Sequence, residues 1–289
     1  MARYLCSALL AVLVMGCFMT SAVLGKSNNR WKIGEPIVTY WAGPANFMDL
    51  DDTVAEQIVA GGWNLGWARN IDDLDIYYRH GIRAMLIVDR PNIDDPVQAK
   101  LLEDIIKKAK NHPALYAYHI LDEPGAALFP SLGKLVRFIK QRDPDHLAYI
   151  NLLPTYASNE MLNKNGDTKT AYKEYLDHYI KDVNPELLSY DHYHFNKTGD
   201  GDQYFLNLAM IREAAIKAKI PFLNIIQAIE CPCGWRAPTE HEMRWLTYTS
   251  LAYGAMGISH FRYDIGFWKD SNPLPLYWPV SRINRDFLN

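Results

Sequence analysis

The chain has 289 residues, 49% of them hydrophobic and 22% charged, with a formal net charge of -3. This composition excludes a disordered polymer, and there is no basic stripe of the kind that marks a nucleic-acid binder. The length suffices for one large α/β barrel, which typically needs ~250 residues.

The first 25 residues read as a secretory signal rather than part of a fold. Arg3 gives a positive start, residues 5–16 are almost wholly apolar, and small residues lead to Gly25 before Lys26. The apolar run is too short for a membrane span, so the expected address is secreted or periplasmic. Val14-Met15-Gly16-Cys17 is a loose match to a bacterial lipoprotein cleavage box. Of four cysteines, Cys6 and Cys17 fall in the signal, leaving Cys231 and Cys233, one residue apart. That pair makes no disulfide framework; free thiols or a local bridge are the open alternatives. Asn196-Lys197-Thr198 is a glycosylation sequon.

From residue 26 onward, strand and helix patterns alternate. Strands are expected at 37–41, 62–67, 82–88, 115–121, 147–153, 187–191, 221–228 and 257–263. Helices are expected at 52–60, 71–80, 96–110, 129–142, 170–181, 203–218 and 239–253. Residues 96–110 place Val97, Leu101, Leu102, Ile105 and Ile106 close to the 3.6-residue period. Strands separated by helices imply parallel pairing. Eight such units in one domain, 26–289, favour a closed (β/α)8 TIM barrel. No glycine-rich phosphate loop follows the first strand, which counts against a dinucleotide fold. The chain stops a few residues into an expected eighth helix, Val280 onward, so that helix is expected to be truncated.

The chemistry is expected where the strands end. Residues 115–121 form an apolar and aromatic run of the kind a doubly buried parallel strand requires. It is followed at once by Asp122 and Glu123, then Pro124 and Gly125. Two carboxylates there are costly unless paired or useful, and barrel enzymes place catalytic groups at the carboxyl ends of strands. The plain alternative is an acidic pair capping the next helix. The other strand ends supply Trp41, Trp67, Asp89, Asn151, Asp191, His192, Tyr193, Gln227, Glu230, Arg262 and Asp264. A rim of hydroxyl-binding groups and aromatic faces is what a carbohydrate substrate needs.

The (β/α)8 pattern with Glu123-Pro124 after the fourth strand resembles the clan A glycoside hydrolases, which are retaining glycosidases. The resemblance covers about Ile37 to Asp264, but its specific motif is only a few residues long. It implies Glu123 as acid/base and a nucleophilic Glu after the seventh strand, for which Glu230 in QAIECPCGW is the nearest candidate, and it implies no cofactor. Two departures stand out. Asp122 occupies the position where that family usually has Asn, and Gln227 lies within the seventh strand, where a nucleophile would be expected. Asp191 and Asp264 are reserve carboxylates. Trp41, Asp89, Asp122, Asn151, Asp191, His192, Tyr193, Arg262 and Asp264 are expected to bind substrate.

Two rival readings are a barrel that binds carbohydrate without cleaving it and a metal-dependent hydrolase built on His192 and His194. Trp41, Trp67, Trp235 and Trp268 are candidate sugar-stacking residues, whereas Trp63 and Trp245 are expected to pack strand on helix. His119 reads as a core histidine with its hydrogen bonds satisfied. For export, N-terminal sequencing of the secreted protein should begin near Lys26; an intact Met1 would contradict the signal reading.

Overall fold

The computed structural model describes residues 35–270 and 272–289. The expected signal segment, with Cys6 and Cys17, lies outside them. Eight parallel strands line one sheet: β1 Ile37–Trp41, β2 Leu65–Ala68, β3 Arg83–Ile87, β4 Leu115–Asp122, β5 Leu147–Leu152, β6 Leu188–His192, β7 Phe222–Gln227 and β8 Gly257–Phe261. The ladder runs from β2 through β8 in sequence order and returns to β1, which pairs with β8. The crossover helices are α1 Asp52–Ala60, α2 Ile71–Arg79, α3 Pro96–Ala109, α4 Phe129–Arg142, α6 Thr168–Val183, α7 Tyr204–Ala218, α8 Glu240–Ala252 and α10 Tyr277–Leu288. Two short helices, α5 Asn159–Leu162 and α9 Tyr263–Gly266, and a small hairpin, β9 Trp268–Lys269 with β10 Asn272–Pro273, decorate the loops. This is the expected (β/α)8 architecture. Among the described residues, no helix is long and apolar enough to cross a membrane.

The boundaries follow local chemistry. Asp51, Asn70, Asp95, Asp167 and Thr239 cap α1, α2, α3, α6 and α8, each accepting a backbone N–H of the first turn. The cap at Asp167 lets α6 begin two residues earlier than periodicity alone suggests. Strand β2 starts later than expected because Gly61 and Gly62 are taken up in the turn. A Cβ at Gly61 would collide with the Trp63 ring, and Gly62 has φ +76. Trp63 itself is buried among Tyr263, Phe267 and Tyr277, as expected of a strand–helix filler.

Closure of the ring depends on side chains. At the seam between β1 and β2, Asn64 Oδ1 accepts the Val38 N–H at 2.8 Å, and the Asn64 N–H donates to the Val38 carbonyl at 3.0 Å. Trp67 Nε1 donates to the Tyr40 carbonyl at 2.6 Å. The eighth helix starts earlier than the expected Val280. It begins at Tyr277 and buries Tyr277, Val280, Ser281, Ile283 and Asn284. Asn284 Nδ2 and Arg285 Nη1 donate to the carbonyls of Gly61 and Ala60, satisfying acceptors at the end of α1 that helix geometry leaves open. Helix α10 thus fastens the last unit of the barrel to the first.

Replacing Asn64 with Ala leaves the buried Val38 N–H without its acceptor, which typically costs about 1–3 kcal/mol. Thermal melting should show a drop of several degrees for Asn64→Ala. An unchanged melting temperature would mean the seam does not need this clamp.

Candidate active site

Strand β4 is eight residues long and carries a register irregularity against β5 between His119 and Leu121. After it Asp122 pairs with Asn151, and the Glu123 N–H donates to the Asn151 carbonyl at 2.9 Å. Glu123 has φ +46, the left-handed region that non-glycine residues seldom occupy. Such a backbone costs on the order of 1–3 kcal/mol and persists where the surroundings over-determine it, typically at functional sites. Neither carboxylate caps a helix. The 3₁₀ turn at Ala126–Leu128 and helix α4 both begin without a side-chain cap, so the plain alternative for the acidic pair does not hold.

Asn151 organises the centre. Its Nδ2 donates at 3.0 Å both to Asp122 Oδ1 and to Asp191 Oδ1, while its Oδ1 accepts from Ser189 Oγ at 2.9 Å. Ser189 Oγ in turn pairs with the Tyr149 hydroxyl at 2.6 Å. Strands β4, β5 and β6 are therefore joined by one chain of polar side chains at the barrel's carboxyl end. Asp191 and Asn151 are 1% and 2% exposed, whereas Asp122 and Glu123 open to solvent.

Asp191 is the group the sequence left in reserve, and it lies within hydrogen-bonding reach of Glu123. Its Oδ2 is buried and no donor reaches it, so the charged form of this carboxyl is poorly supported. Burial first, then the charges of Glu123 and Asp122, hold the Asp191 carboxyl well above the usual carboxylate range. Glu123 is raised as well, chiefly because the surrounding walls desolvate it. The pair titrates as one system. Asp122 is pushed up to about 6 by the same crowding, with the Glu123 charge adding to it and hydrogen bonds from Asn151 and Trp41 opposing it.

The walls are aromatic. Trp41, at the end of β1, meets Trp67 edge-on at 4.8 Å and His119 at 5.5 Å. Tyr149 lies 6.1 Å from Trp41 and 6.0 Å from His119. Trp67 is buried at 1% exposure and serves as packing rather than as an open stacking face. His119 differs from its expected role: both ring nitrogens are buried without a partner. Burial pulls its pKa down to about 4, so the ring is neutral at physiological pH. On the other side, Tyr193 lies against Trp235 at 4.5 Å and Phe261 at 4.9 Å.

The remaining expected residues are dispersed. Asp89 is exposed after β3, with φ +54, and none of the hydrogen bonds described above reaches it. Arg262 is held by Asp264 through a two-pronged ion pair and lies over the Phe47 ring. Its charge is therefore compensated. His192 is buried and bonds through Nδ1 to Asn207 Oδ1 at 2.9 Å; His194 stacks on Trp245. Among the described residues, no group of three or more His, Cys, Asp or Glu is arranged to hold a metal ion. Trp268 packs on Tyr277, and Cys231 and Cys233 form a disulfide with each other. Gln227 is fully buried: its Oε1 accepts the Phe195 N–H, and its Nε2 donates to the carbonyls of Phe195, Ile229 and Arg236. Glu230 is exposed in the loop after β7 and is not among the groups that perturb Glu123.

Sequence reasoning missed Tyr149, Ser189 and Tyr156. The first two were reachable, because Tyr149 precedes Asn151 by two residues and Ser189 precedes Asp191 by two, on the same strand face. Tyr156 sits in an irregular loop, where no periodicity points to it.

No protein-family model and no curated protein matches the sequence. Solved structures do share the fold. A Bacteroides thetaiotaomicron protein provisionally assigned as an α-L-fucosidase is 10% identical, with a TM-score of 0.62 over 93% of this chain and 97% of that one. An endo-1,4-β-mannanase from Eisenia fetida is 9% identical, TM-score 0.56, covering 86% and 91%. A GH128 endo-β-1,3-glucanase from Sorangium cellulosum is 13% identical, TM-score 0.54, covering 85% and 97%. At these identities the likeness establishes the (β/α)8 barrel.

The Asp191 carboxyl gives a signed expectation. Because its folded-state pKa is raised above the unfolded value of ~3.9, the stability it contributes is complete below about pH 4 and is lost as pH rises. Asn at this position keeps the oxygen that accepts from Asn151 but carries no charge. Asp191→Asn should therefore melt higher than wild type at pH 7–8, and the gap should close toward pH 4. Parallel melting curves across that range would contradict the raised pKa.

Proposed function

We propose that this protein is a secreted glycoside hydrolase that cleaves O-glycosidic bonds of a carbohydrate substrate with retention of configuration. The observation that carries this reading is the Glu123–Asp191 carboxyl pair, set at an aromatic-walled barrel mouth and tied to Asp122 through Asn151. The glycosidases among the proteins that share the fold support it.

In this reading Glu123 is the acid/base. Desolvation favours its protonated form, so it can give a proton to the leaving oxygen as the C–O bond breaks, and later take one from the water that attacks. Asp191 shares that proton and sets when it is available. A double displacement needs a second carboxylate ≈ 5–5.5 Å from the first; Asp191, held by Asn151, is assigned to hold the acid's proton rather than to that role. The proposed nucleophile is Glu230, which lies outside the hydrogen-bonded cluster: its carboxylate forms an ester with the anomeric carbon, and water then releases the sugar. Asp122 and Asn151 bind substrate hydroxyls, and Trp41 offers a stacking edge. None of these steps requires a cofactor.

One observation favours a second reading, carbohydrate binding without cleavage. The end of β7 holds Gln227, and its amide is spent on backbone partners.

Kinetics separate the two. Glu123→Gln should lose about 10²–10⁴-fold in turnover on glycosides with alkyl or sugar leaving groups and much less on nitrophenyl glycosides, which need no proton. Trapping with 2-deoxy-2-fluoro glycosides followed by peptide mass mapping should label Glu230. A label on Asp191 would overturn the assignment of roles, and no turnover of any aryl glycoside by wild type would favour the binding reading.

A further inference from the structure

Beside the carboxyl cluster, between the loops that follow β5, β6 and β7, lies a separate recess of about 190 Å³. Tyr156, Tyr193 and Trp235 line it together with Asn196, Asp202 and Gln203. Tyr156 is 44% exposed, so its ring is open to a ligand. Tyr193 and Trp235 are half-buried and rest against each other and against Phe261. Gln203 Oε1 is buried without a donor. Both phenols, of Tyr156 and Tyr193, are close enough to feel the charges of Asp191 and Glu123, so the recess adjoins the carboxyl pair.

Its walls are held in place. Gln227 ties the β6–α7 loop to the β7–α8 loop through the Phe195, Ile229 and Arg236 backbones. The loops also meet in a bridge between Asn196 and Trp235. The Tyr193 N–H donates to the Tyr156 hydroxyl at 3.3 Å, which links the β5 loop to them. A recess fixed in this way meets a ligand without paying to order its own side chains.

We infer that this recess is a subsite for a second, neutral sugar ring of the same substrate chain, so that the protein engages an oligosaccharide or polysaccharide rather than a lone monoglycoside. Its size is below the ~300 Å³ of drug-sized pockets, which suits one ring. Aromatic faces meet the apolar face of a pyranose, while Asn196, Asp202 and the unpaired Gln203 oxygen meet its hydroxyls. The lining carries one carboxylate and no lysine or arginine. With Asp202 in the lining and the Asp122–Glu123–Asp191 cluster next to it, an acidic sugar finds no cation to pair with and adds charge to an acidic site. The inference relies on the glycosidase reading only for which ring is cleaved.

The test reads binding, not turnover. Glu123→Gln is titrated calorimetrically with cellohexaose, mannohexaose, laminarihexaose, chitohexaose and hexagalacturonate, and with the matching monosaccharides. At least one neutral hexasaccharide should bind, and hexagalacturonate should not. Adding Trp235→Ala should weaken the hexasaccharide about tenfold, the scale of one aromatic contact, and Trp235→Phe should recover most of it. Monosaccharide binding should not change. If Trp235→Ala melts well below its parent, Tyr156→Ala serves in its place. Binding by none of the neutral hexasaccharides, or hexasaccharide binding indifferent to both aromatic variants, overturns the subsite. Trp235-dependent binding in a protein that cleaves no glycoside upholds the subsite and fails only the catalytic reading.

Discussion

One amide nitrogen, Asn151 Nδ2, holds two carboxylates from two different strands at 3.0 Å each. That shared donor is the one contact that offsets the charge of both Asp122 and Asp191 beside Glu123. The clamp works because Asn151 is itself fixed from below. Ser189 donates to its oxygen, and Tyr149 pairs with Ser189. The aromatic layer of Trp41, Trp67 and His119 packs against Tyr149, and Tyr149 and Ser189 are both buried. Each element of the site depends on the one beneath it, which is how a barrel interior built in layers can carry charge at its top.

This arrangement works against stability. A buried Asp191 carboxyl beside Glu123, a left-handed Glu123 backbone and a histidine with both ring nitrogens unpaired are each costly where they stand. All three sit within the same end of the barrel. The compensation lies elsewhere: in well-capped helices, in an interior of fully buried aromatic side chains, and in the attachment of α10 to the end of α1.

The loops around the mouth divide into two kinds. Those after β6 and β7 are bound to each other by Gln227 and carry their aromatic faces in fixed positions. The Arg262–Asp264 pair after β8 is closed on itself. The mouth is therefore asymmetric. The Tyr156–Trp235 side carries no ion pair among its lining residues, whereas the Arg262 side carries compensated charge over the exposed Phe47 ring.

The sequence by itself determined the architecture and the central acidic position. Strand and helix periods are properties of neighbouring residues, so eight alternating units could be read directly, and an apolar run ending in Asp122-Glu123 marks a strand end wherever the strand lies. Asn151, Asp191 and Tyr193 were legible for the same reason. Only the tertiary structure decided which of these residues act together. Asp191 is 68 positions from Glu123, and the electrostatic coupling of the two depends on β4 and β6 flanking β5 in the closed ring, a distance no local pattern encodes. The same holds for Gln227. Its residue type denied it a carboxylate's role, but its clamp on two loops depends on where their backbones pass. The start of α10 was placed too late, and its anchoring partners, the carbonyls of Ala60 and Gly61, lie at the far end of the chain. Periodicity is local, whereas hydrogen-bond satisfaction and desolvation are set by what the fold brings near.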